Sequence, residues 1–215
     1  MSQNKIKPEY ILATGAPGSR WSGVVKGIYY SPDINQSDYR KKNEFYFNKD
    51  DKLDDEKKPN HFATYFGAGQ KYGVQREEWD KPFKKDSEGI KIIKSHDFAY
   101  QLDYLTKYVQ PIIIVYRSPI DCFEWWHEAG GWNIKYPNYK HYIDDDMLFL
   151  EIENQCAEIQ RFLHYNKSYI TKCENPYELC DNIDISRPDD IFSHTKGQHK
   201  FNEENETNVN LWMKQ

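Results

Sequence analysis

Four short stretches of this chain carry residues whose types and spacing suit chemistry on an anion. Residues 15–20 read GAPGSR. Gly15 and Gly18 would let the backbone approach a ligand closely, while Ser19 supplies a hydroxyl donor and Arg20 a permanent charge. Such a turn, set between a strand and a helix, aims backbone N–H groups inward and adds the partial positive charge of a helix N-terminus. A tight strand-to-helix turn with no ligand would use the same glycines, so the loop alone leaves both readings open. It lacks the lysine of the GxxxxGK[ST] pattern that reaches terminal phosphates, which makes a metal-dependent P-loop kinase the weaker enzymatic reading.

The second stretch is Lys94-Ser95-His96. An imidazole titrates near pH ~6.5 and accepts a proton under neutral conditions, so His96 suits a general base. A lone histidine is more often a structural hydrogen-bonding residue, and only the Lys-Ser context reverses that preference. Lys94 and Arg20 would place positive charge where a leaving oxygen becomes negative. Strand alternation could instead turn Lys94 to solvent. The third stretch ends the apolar run PIIIVY in Arg117, whose planar guanidinium matches a phosphate; the alternative for Arg117 is an ion pair with Asp121. The fourth is Thr195-Lys196-Gly197. Trp125, Trp126, His127 and Trp132 fit ring stacking and helix packing equally well. The acids at 144–146 are assigned to a helix start, where the macrodipole favours negative charge.

These residues need elements to bring them together. YILAT at 10–14 reads as a strand that breaks into the glycine loop, and 21–30 has helical spacing. GIKIIK at 89–94 is a second strand, AYQLDYLTKYV an amphipathic helix, and PIIIVY at 111–116 a buried strand. A right-handed βαβ crossover makes these strands parallel, so the glycine loop, residues 95–96 and Arg117 open at one edge of the sheet. A long helix over 143–165, a strand over 169–172, a short helix over 176–182, a loop HTKGQHKF and a closing helix over 203–213 complete the expectation. The fold class is therefore α/β, with a central parallel sheet flanked by helices. The 215 residues suit one domain, 1–215, with a polar insertion at about 33–85. Within it 33–59 reads as solvated mixed charge, and 61–79, richer in aromatics and glycine, as an ordered segment that could help line a cleft.

Composition limits the partners. A net charge of −5 argues against nucleic acid, which needs a basic face. Mean hydropathy is −0.94, and no apolar stretch approaches the roughly 20 residues of a membrane span. Cys122, Cys156, Cys173 and Cys180 have no metal-ligand spacing and the start of the chain has no signal-peptide pattern, so free thiols and a soluble, cytoplasmic protein are expected.

Taken together and in order, TGAPGSRW at 14–21, KSH at 94–96, RSPID at 117–121 and TKG at 195–197 resemble the signature of sulfotransferases that use 3′-phosphoadenosine 5′-phosphosulfate (PAPS). The similarity covers roughly 10–30 and 89–197. It implies a P-loop-containing nucleotide hydrolase-like architecture and a sulfuryl transfer from PAPS to a hydroxyl of a small-molecule or carbohydrate acceptor, with no metal. It implies a 5′-phosphate held by Gly15, Ala16, Pro17, Gly18, Ser19, Arg20 and Trp21. A 3′-phosphate would be held by Arg117 and Ser118 and closed over by Thr195, Lys196 and Gly197. His96 would be the catalytic base. Many members carry a loop lysine where this chain has Ala16, leaving Arg20, Lys94 or Lys26 to substitute, and a helix serine where it has Glu124 and Trp125. A nucleotide- or glycan-binding relative without catalysis is the alternative those departures suggest.

Overall fold

Three apolar runs form the parallel part of the sheet: β1 (Tyr10–Gly15), β2 (Lys91–Lys94) and β3 (Ile112–Tyr116). The computed structural model describes residues 7–37, 76–80, 83–128, 131–133, 141–189 and 207–214. β1 is the middle of the three, with Leu12 in register with Ile93 on one side and Ile112 on the other. All six of its residues are buried, as a strand covered on both faces requires. α1 (Trp21–Tyr29) follows it on one face of the sheet. After β2 come a 3-10 turn (His96–Gln101) and the single helical turn α2 (Leu102–Leu105), where the sequence pattern predicts one longer helix. Ser95 sets this start, since its hydroxyl accepts the backbone N–H of Asp97 at 3.2 Å.

α3 (Pro119–Glu128) and α4 (Asp145–Tyr165) lead to β4 (Ile170–Cys173) and α5 (Pro176–Asn182). The acids at the start of α4 do what the macrodipole argument predicts, with Asp144 capping the N–H of Met147 at 2.8 Å. α5 begins at Asn175, whose side chain accepts from the N–H of Glu178, and carries Pro176 in its first turn.

The closing helix expected over 203–213 is a strand instead, β5 (Asn208–Trp212). It runs antiparallel to β3 and to β4, so the five strands, in the order β2-β1-β3-β5-β4, make a mixed sheet rather than a purely parallel one. The reason lies in NVNLW: Val209 and Leu211 pack with α1 while Trp212 packs on the opposite face, an alternation of two. That strand also satisfies the backbone groups along the open edge of β3.

Two cores flank the sheet. Ile11, Ala13, Ile92, Ile113 and Val115 bury against α1 and α5, and Leu12, Ile93, Ile112 and Ile114 against the 3-10 turn, α2 and α4. The polar insertion lies largely outside the described residues. Its described end belongs to the second core, where Trp79 is buried against Tyr10 and Phe98, with ring centroids 5.3 and 6.1 Å away. All four cysteines are buried free thiols. Among the described residues no helix is long and apolar enough to cross a membrane.

Candidate functional site

Strand alternation decides which side chains meet at the carboxyl end of the sheet. Ala13, Ile92 and Val115 face α1, so Gly15, Lys94 and Arg117, each two residues farther on, point the same way. Lys94 is thus not turned to solvent. It is 1% exposed, with its ammonium 5.4 Å from the centre of the Trp21 ring.

The loop above them uses both glycines. Gly18 has φ +80°, and a Cβ there would lie 1.8 Å from the carbonyl oxygen of Cys122. A Cβ on Gly15 would lie 2.4 Å from Ser19 Oγ, which places that hydroxyl directly over the end of β1. Arg20, with φ 65°, precedes α1 without any side-chain cap, and its carbonyl accepts the N–H groups of Gly23 at 2.9 Å and Val24 at 3.3 Å. Pro17 and Ala16 are buried, and Ala16 packs with Cys122, Ile152 and Cys156 in a small apolar cluster.

Polar atoms here lack partners. Ser19 is fully buried and its Oγ has no hydrogen bond among the described residues, nor has the buried Nε of Arg20. The Arg20 guanidinium lies 3.8 Å from the Trp125 ring centre, which gives that tryptophan a role the sequence left open. Burial first, and then the neighbouring charge of Arg117, lower the pKa of Arg20 below the usual guanidinium value. Arg117 is 2% exposed and donates from Nη1 to the Gly18 carbonyl at 3.2 Å. Two guanidinium groups held this close make a field suited to an oxyanion.

His96 is buried beneath the loop and its Nδ1 meets the carbonyl oxygen of Gly15 at 2.5 Å. A carbonyl only accepts, so Nδ1 is the donor in this contact, and in a neutral ring the lone pair would then lie on Nε2. Trp21 packs on the ring at 4.5 Å between centroids. The turn is pinned to β1 by Thr14, whose hydroxyl donates to the Ser95 carbonyl at 2.8 Å.

Ser118 follows Arg117, and its hydroxyl is engaged with α3. Its hydroxyl donates to the Asp121 carboxylate at 2.7 Å and accepts the Asp121 N–H at 3.1 Å, closing the first turn of α3. Trp126 belongs to the apolar cluster, against Trp132 and Tyr142. Thr195, Lys196 and Gly197 lie outside the described residues. Sequence reasoning missed Thr207, which is 5% exposed and whose Oγ1 also has no partner among the described residues. No motif could have revealed it, because it reaches this edge only through the antiparallel course of β5.

Comparison with known proteins finds no matching family model, no matching curated protein and no matching solved structure.

Proposed function

We propose that this protein transfers a sulfuryl group from PAPS to a hydroxyl of a small-molecule or carbohydrate acceptor. The observation that carries this reading is the pair of buried donors without a partner among the described residues, Ser19 Oγ and Arg20 Nε, at the start of α1 beside a buried histidine. Unsatisfied buried donors cost free energy unless a ligand meets them, and a phosphate is the group that a helix N-terminus and a guanidinium pair both favour.

In the proposed reaction Nε2 of His96 takes the acceptor's hydroxyl proton as the new O–S bond forms. The bond from sulfur to the bridging oxygen breaks, and its electron pair goes to the departing 5′-phosphate. Arg20 and Lys94 supply positive charge to that oxygen, a task given in related patterns to the lysine replaced here by Ala16. The Gly15 carbonyl keeps the imidazole in the tautomer this step needs and favours the imidazolium formed.

The packing of Ala16 in the apolar cluster favours a second reading, a nucleotide- or glycan-binding protein without catalysis. Incubation with PAPS labelled in the sulfuryl group separates the two. Label moving to an acceptor with the wild type and not with His96→Ala supports transfer. Donor binding with no transfer by either protein, across a broad panel of hydroxyl acceptors, supports the binding protein.

A further inference from the structure

The ladder between β3 and β5 pairs Tyr116 with Asn208, so its next step sets Thr207 opposite Arg117. Val209 and Leu211 face α1, and Thr207, two residues before Val209, faces the same way. A threonine hydroxyl, nine-tenths buried and without a partner among the described residues, therefore stands on the glycine-loop side of the sheet next to the buried Arg117. It lies on the far side of Arg117 from the loop.

That displacement has a chemical meaning. Ser19 Oγ sits over Gly15, which is level with Val115 and Val209 across the sheet. Thr207 is two strands across and two residues along from there, on the order of 12 Å between backbones. A single phosphate bridges hydrogen-bond donors up to roughly 8 Å apart. Two groups of unpartnered donors, with Arg117 between them, thus fit a ligand carrying two anionic groups better than one carrying a single group.

We infer that the Thr207 hydroxyl is a second anion contact, taking the phosphate farther from the glycine loop in a nucleoside that bears two. This rests on the donor reading above and adds to it a residue that supplies the hydroxyl Ser118 spends on α3 and that position 124, a glutamate, does not offer. Thr207 thereby becomes a residue that discriminates a bisphosphate from a monophosphate.

The test is calorimetric titration of wild type, Thr207→Val and Thr207→Ser with adenosine 3′,5′-bisphosphate, with 5′-AMP and with inorganic phosphate, after melting curves establish that each variant folds. Valine keeps the branched shape that suits a strand. The expected result is a loss of roughly tenfold or more in bisphosphate affinity for Thr207→Val, near-wild-type affinity for Thr207→Ser, and unchanged 5′-AMP affinity in both. Equal bisphosphate affinity in wild type and Thr207→Val overturns the role of Thr207 and leaves the donor reading standing. So does an equal loss for both nucleotides, which marks a structural residue. Should wild type bind no bisphosphate, the donor reading fails. The inorganic phosphate titrations then decide for Thr207, since weaker binding by Thr207→Val sustains an anion contact and equal or absent binding removes it.

Discussion

At the scale of single residues, groups that share one small volume would do different work in the proposed transfer. His96 is argued to move a proton and Arg20 to hold charge, so their substitutions should separate. His96→Ala is predicted to lower the rate of sulfuryl transfer by about 10²- to 10⁴-fold, with bisphosphate affinity nearly unchanged; rate and affinity measured on the same preparation check this. Arg20→Lys keeps the charge but loses the planar group that lies on Trp125 while turning Nε inward. Bisphosphate affinity should fall roughly tenfold despite the conserved charge. An Arg20→Lys protein that binds as tightly as wild type would show that only net charge matters there.

At the scale of elements, the glycine loop depends on its seat against α3. Gly18→Ala forces a side chain into the Cys122 carbonyl at a left-handed φ, and the loss of stability should be roughly 2 kcal/mol or more. Chemical denaturation measures it directly, and a loss below half that value would mean the loop relaxes freely. The same contact shows why part of this site was legible in the sequence. Glycines, Arg20, Lys94 and His96 sit at the ends of strands whose apolar runs are unmistakable, so alternation and a parallel crossover suffice to gather them. At Ser118 the S-x-x-D spacing also closes a helix start, and the hydroxyl bonds Asp121 there. β5 escaped because five alternating residues after an acid-rich stretch resemble a helical turn until the open edge of β3 is seen. Thr207 escaped with it, since its neighbour Arg117 is distant in sequence.

At the scale of the whole molecule, Asp33 ties separate parts of the chain together. Its carboxylate accepts from Lys7 at 2.6 Å and from the backbone N–H of Ser186 at 2.7 Å. These bonds, the Lys7 contact first, hold its pKa down to about 2. A depressed carboxylate pKa stabilises the fold above the unfolded value of about 4, and the contribution disappears as pH falls through the folded value. Wild-type stability should therefore drop between about pH 4 and pH 2, and in Asp33→Asn that drop should shrink. Solvent screening at the exposed Lys7 end limits the loss at neutral pH to the order of 1 kcal/mol. Acid titrations of both proteins, followed by circular dichroism, would read the difference, and identical profiles would remove Asp33 from the account.

The larger claim is that one edge of this sheet, from Lys94 through the glycine loop and Arg117 to Thr207, is built around a nucleotide with two phosphates. Calorimetric titration of the wild-type protein with adenosine 3′,5′-bisphosphate, set against 5′-AMP and ATP with magnesium, asks this without needing an acceptor. The account predicts saturable one-to-one binding of the bisphosphate, tighter than either competitor. No heat with the bisphosphate, or tighter binding of ATP with magnesium, would contradict it.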